Sequence, residues 1–173
     1  MKKLKTISSI LVLLVVALLI TGCDDNSNNK VISNGKKVNT SKMEHKHCTG
    51  DGAMDDGEVT LEYDIYYTDE RLNIVKSVTT IKSDSSSVLD TYEKAYKDIY
   101  KNYEGLEYYD TNIEKSNNKL VNTITINYDE VDIDKLISIE GEEDNIFENK
   151  VPKVKKWLEL GKKFGTKCKL VEE

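Results

Sequence analysis

Positive charge is what this sequence is short of. It carries 25 Lys and Arg against 31 Asp and Glu, and only one of the basic residues is an arginine. That balance excludes the electrostatic footprint of a nucleic-acid binder and argues against a polybasic grip on anionic lipid. Histidine is almost absent. His45 and His47 are the whole complement, so no Ser-His-Asp set is readable and no enzyme is expected. Apolar runs are missing after residue 20, and no second membrane-spanning segment is expected. No internal repeat is evident. Nothing in the sequence implies a cofactor.

What is present begins with Met1. Lys2, Lys3 and Lys5 precede an unbroken apolar run from Ile10 to Ile20. Such a run is short for a spanning helix and suited to the core of a signal peptide. It ends Leu19-Ile20-Thr21-Gly22-Cys23, which resembles a bacterial lipobox. The resemblance implies cleavage before Cys23, a diacylglyceryl thioether on its sulfur, and attachment to the membrane facing the extracytoplasmic side. Two or more acyl chains hold a protein stably where one is marginal. Residues 1–22 are therefore expected as a lipoprotein signal peptide. Residues 23–43 are the lipidated cysteine and a flexible tether, because Asn, Ser and Lys dominate and few large apolar side chains can offset ordering entropy. The remainder, 44–173, fits one small domain, expected to be a monomer. After cleavage 22 basic residues face 31 acidic ones.

With Cys23 lipidated, Cys48 and Cys168 remain, and outside the cytoplasm an even pair reads first as a disulfide. Between them the periodicities alternate. Val59, Leu61, Tyr63, Ile65 and Tyr67 repeat every second residue, as in a half-buried antiparallel strand. Thr68 to Arg71 reads as a hairpin turn into a second strand, Leu72 to Ile81, whose inward set is expected as Leu72, Ile74, Val78 and Thr80, with Lys76 interrupting it. Ser85 to Ser87 supply a helix N-cap. Val88, Leu89, Tyr92, Ala95, Tyr96, Ile99 and Tyr103 then recur at helical spacing, and Gly105 ends the run. Leu106 to Lys115 and Lys119 to Tyr128 read as strands. Asp132 caps a short helix over Ile133, Leu136 and Ile137. The single proline, Pro152, suits the first turn of a helix carrying Val154, Trp157, Leu158 and Gly161. Gly165 stops it before a last strand with Cys168. Hairpin-like strand pairs with grouped helices predict the α+β class: one antiparallel sheet with helices packed on one face.

The segments YKDIYKNYEGLEYY (Tyr96 to Tyr109), KLVNTITINYDEVDIDKL (Lys119 to Leu136) and the ending GTKCKLVEE resemble the YehR-like family of small bacterial lipoproteins. The resemblance spans most of residues 46–173. It implies a small α+β domain behind a lipobox and carries no catalytic signature.

The stretch MEHKHCTGDGAMDDG, residues 43–57, looks most like chemistry. If extended, it sets His45 and His47 on one face and Cys48 on the other. The two histidines can share a divalent metal such as zinc or copper, which needs further ligands. Asp51, Asp55 and Asp56 are near in sequence, but nothing fixes them. Counted as a calcium loop from Asp51, the stretch puts Ala53 where an oxygen ligand belongs, so a turn before a strand is the better reading. Among the ten tyrosines, Tyr63, Tyr92, Tyr96 and Tyr128 fall at core positions. Tyr66, Tyr100, Tyr108 and Tyr109 are the exposed set, and Tyr66, Tyr108 and Tyr109 are the candidate surface for an envelope protein or a small ligand. The leading expectation is a non-enzymatic extracytoplasmic binding module; the alternative is a divalent-metal binder using His45 and His47.

Overall fold

The computed structural model describes residues 30–140 and 146–172. The signal peptide, Cys23 and the tether up to residue 29 lie outside the described residues, as does part of the acidic stretch after Glu140. The elements run β1 (Lys30–Ser33), β2 (Lys36–Asn39), β3 (Glu44–Met54), β4 (Gly57–Thr68), β5 (Arg71–Lys82), α1 (Ser86–Tyr100), β6 (Tyr109–Ser116), β7 (Lys119–Asn127), α2 (Ile133–Glu140), β8 (Phe147–Glu148), β9 (Val151–Pro152), α3 (Val154–Lys163) and β10 (Lys167–Leu170). A short 3-10 turn, Lys101–Tyr103, extends α1.

Six strands form one sheet in the order β10-β3-β4-β5-β7-β6, and every neighbouring pair is antiparallel. One face is packed by helices. Val59, Leu61, Tyr63, Ile65 and Tyr67 of β4 meet Leu89 and Tyr96 of α1, Leu136 of α2, and Val154 and Trp157 of α3 in one continuous core. Trp157 stands edge-on to Tyr63 with ring centroids 4.8 Å apart. The fold is therefore α+β, a single small domain with its helices on one side.

The inward set of β5 differs from the sequence expectation, and the cause is local. Tyr67 pairs with Leu72 but Tyr66 pairs with Ile74, so Asn73 is an extra residue bulged out of β5. A bulge reverses which side chains face the core beyond it. Leu72 faces the helices, and after the bulge Val75 and Ile81 do so. Ile74 lies on the other face, in a separate cluster. Lys76 alternates with Val75 on that second face, where a charge is tolerated, so it interrupts nothing. The bulged Asn73 donates to both carboxylate oxygens of Asp129, at 3.1 and 2.9 Å.

The helix ends follow the sequence in part. Lys135 N–H donates to Asp132 Oδ1 at 3.0 Å, the expected cap of α2. Ser85 holds the N-cap position of α1, yet no side chain caps it; its hydroxyl meets that of Ser87 instead. Pro152 lies in β9, and α3 begins two residues later. Tyr109, not Leu106, opens β6, because Tyr108 takes a left-handed φ of 65° that breaks the extended chain.

Part of the expected tether is folded. Residues 30–39 fold as the β1–β2 hairpin, with Val31 opposite Val38. Asn34 (φ 50°) and Gly35 (φ 69°) form its two-residue turn, both left-handed as a type I′ hairpin turn requires. Val31 packs with Tyr66 and Ile74, and Val38 and Met43 lean on that cluster. Average composition hides the hairpin, which needs only one compatible turn and one apolar side chain per strand with a surface to lie on.

Candidate functional site

The helix-free face of the sheet collects the polar residues that the alternating strands exclude from the core. Here His45 and His47 of β3 project on the same side, and the register puts Asp64 opposite His47 and Tyr66 opposite His45. Both imidazoles converge on one oxygen. His45 Nε2 lies 3.0 Å, and His47 Nδ1 2.9 Å, from Asp64 Oδ1. A carboxylate only accepts, so each facing nitrogen carries the hydrogen. Tyr66 stacks on the His45 ring at 4.4 Å with 10° between planes, which fixes the ring's orientation.

Burial pushes the Asp64 carboxyl upward, but the hydrogen bonds from His45 and His47 outweigh it and hold the group below the usual carboxylate range. Glu62, two residues along the same face, moves the other way. Its partial burial raises it, and the neighbouring Asp64 charge adds to the rise, while His47 and Lys76 pull it down. Lys76 stands opposite Asp64 on β5. Two acids, two imidazoles and an ammonium thus sit together in the middle of a sheet and stay partly exposed, His45 at 16% and His47 at 38%.

Cys48 points to the opposite face. It pairs with Cys168 across β3 and β10, and the two sulfurs are bonded at 2.02 Å. The expected disulfide is therefore present, and Cys48 offers no thiolate to the histidines behind it. Asp55 and Asp56 lie in the turn between β3 and β4, and Asp51 is exposed on β3. Among the described residues, no group of three or more His, Cys, Asp or Glu side chains is arranged to hold a metal ion.

The tyrosine surface does not form. Tyr66 is only 8% exposed, covered by the β1–β2 hairpin. Tyr109 is equally buried, stacked on Tyr103 with centroids 4.1 Å apart, and that burial drives its hydroxyl well above the normal tyrosine range. Tyr108 is half-buried and packs against the core. Tyr100, expected on the surface, is half-buried and donates to Asn122 Oδ1. Alternation on β6 predicts the burial of Tyr109 once the strand start is known, but the coverage of Tyr66 depends on a hairpin 27 or more residues upstream. Sequence reasoning also missed Asp64 as the partner of both histidines. The signal was its place at a polar position of an otherwise core strand.

No protein-family model matches the chain, and no curated protein does. Among solved structures the chain is similar to the NMR structure of the Escherichia coli YehR protein, with 17% identity and a TM-score of 0.53, over 76% of this chain and 94% of that one. It is also similar to the NMR structure of a protein from Streptococcus pneumoniae TIGR4, with 17% identity and a TM-score of 0.47, over 88% of this chain and 99% of that one. The first likeness shows a YehR-like α+β fold.

Proposed function

We propose that the chain is a bacterial lipoprotein, anchored by lipid on Cys23, whose domain is a non-enzymatic binding module on the extracytoplasmic side. The polar sheet face around His45, His47, Asp64, Glu62 and Lys76 is the ligand-facing surface. The observation that carries this reading is the position of these groups: ionisable side chains on central strands cost desolvation, and here they stay partly open instead of being packed over. The Cys48–Cys168 bond supports the location, since structural disulfides persist in oxidising compartments. No helix among the described residues is long and apolar enough to cross a membrane, and attachment through Cys23 requires none.

A photoreactive amino acid placed at position 47, and separately at Lys94 on the exposed side of α1, tests the surface in living cells. Adducts of defined mass from position 47 and none from position 94 are expected. Equal yields from the two positions would overturn the assignment. A divalent-metal role for His45 and His47 is the second reading, and it rests on their shared side of β3. Calorimetric titration of the purified chain with zinc and copper decides it: heat lost in a His45→Ala/His47→Ala variant supports metal binding, and no heat removes it.

A further inference from the structure

We propose that the β1–β2 hairpin is a second membrane contact, a basic ribbon that docks on anionic phospholipid headgroups of the bilayer holding the anchor. The net charge of the chain conceals this feature. Residues 30–43 contain four lysines and no acid, whereas residues 44–173 carry 18 basic and 29 acidic residues. Lys30, Lys36, Lys37 and Lys42 are all exposed. Among the described residues none of the four ion-pairs with a carboxylate.

The hairpin has two faces. Register places Val31 and Val38 together, and these lie toward Tyr66 and Ile74. Lys30, Ile32, Lys37 and Asn39 share the outward face. Ile32 is 61% exposed, one of two large apolar side chains left open in the described residues. An apolar side chain between lysines suits an anionic interface, with ammonium groups at the phosphates and the isoleucine among the headgroups.

The length of chain before the hairpin chooses the partner. Six residues lie between Cys23 and Lys30, and the seven chain steps from one to the other reach at most about 25 Å. With the lipid on Cys23, on which this inference rests, the hairpin cannot leave the neighbourhood of the bilayer. Its local concentration at the headgroups is then high, so weak contacts count. The hairpin's own fold is steadied from behind, where Asn34 N–H donates to Asp110 Oδ2 at 2.7 Å. A second lysine-rich stretch, residues 150–170, is the natural competitor. It holds eight lysines and one acid, Glu159, with Lys150 and Lys153 paired with Asp134 and Glu70, and what sets the hairpin apart from it is the short chain to Cys23.

The test uses the whole chain isolated from cell membranes and carrying Ile32→Trp, with the parent chain subtracting the signal of the buried Trp157. The chain is reconstituted into vesicles of phosphatidylcholine alone, or of phosphatidylcholine mixed with phosphatidylglycerol, each containing a headgroup nitroxide lipid. Intact mass reports the lipid on Cys23. Blue-shifted emission and quenching at position 32 are expected on the mixed vesicles only, reversed by high salt. Lys30→Gln and Lys37→Gln, on the outward face, should each lower the docked-to-undocked ratio about fivefold. The combined Lys155→Gln, Lys162→Gln and Lys163→Gln variant should leave it unchanged. Equal quenching on both vesicle types, strong or absent, overturns the proposal, as does loss confined to the helix variant. A chain without lipid on Cys23 overturns the anchor instead, and adding that chain to the mixed vesicles from outside then decides the hairpin contact by the same quenching.

Discussion

At the scale of single residues, Asp64 sets the chemistry of the open face. Its carboxyl titrates below its ordinary value of 3.8 because His45 and His47 both donate to it. A carboxyl whose folded pKa is depressed contributes stability that is fully present above the unfolded value and is lost as pH falls through the folded one. Thermal melts of the parent should therefore weaken below about pH 4, and Asp64→Asn should flatten that acid limb. At neutral pH the same change should cost about 1–2 kcal/mol, since charge-assisted hydrogen bonds become neutral ones. An acid limb as steep in the variant as in the parent would assign the pH dependence to other carboxylates. The lone arginine acts just as locally. Arg71 pairs with Asp129, the carboxylate that also holds the bulged Asn73.

Among the elements, the β1–β2 hairpin and the bulge in β5 do the most to shape the second face. The hairpin turn depends on left-handed Asn34 and Gly35. Replacing Gly35 by alanine places a Cβ in that region, at a cost of about 1 kcal/mol. Space is not the obstacle, since nothing lies within 4 Å of the added carbon. Because the hairpin rests on one small cluster and not on the main core, the effect should stay local. Hydrogen exchange should quicken about fivefold for residues 30–40 and stay unchanged in β3 to β5. A matching drop in global stability would mean that the hairpin is part of the cooperative core. The bulge has a different consequence: it lets one strand give Leu72 and Val75 to the helices while Ile74 faces the hairpin.

For the whole molecule, the disulfide ties the end of the chain back to its beginning. Cys48 on β3 and Cys168 on the last strand are separated by 120 residues, so the bond joins the edge strand to the body of the sheet. In the chain-entropy account, closing such a loop stabilises by about 4–5 kcal/mol. Cys168→Ser should lose an amount of that order in denaturant titrations, and reductant should lower the parent to about the same midpoint. A parent unaffected by reductant would show that the ladder to β3 holds β10 without the bond. The charge distribution is the other whole-molecule property. An acidic protein carries an acid-free basic hairpin next to its proposed anchor, and an overall charge of −6 does not reveal it.

The sequence by itself determined the sheet and its helices. Strict alternation in β4, helical spacing in α1, Asp132 before α2 and Gly165 after α3 are local signals, readable because backbone periodicity and capping act over a few residues. The pairing of Cys48 with Cys168 was legible by counting. Even the hairpin was written in Asn34-Gly35 between Val31 and Val38, and composition masked it. Tertiary structure decided which side of the sheet each residue met. A single bulged residue, Asn73, reversed the faces of β5, and no periodicity within one strand reveals a slip against its neighbour. Whether Tyr66 formed a surface or a floor depended on a hairpin folding back over it, and whether His45 and His47 stood alone depended on Asp64 arriving from the next strand. These are contacts between segments distant in sequence, set by register and packing, and register is a property of strands in pairs.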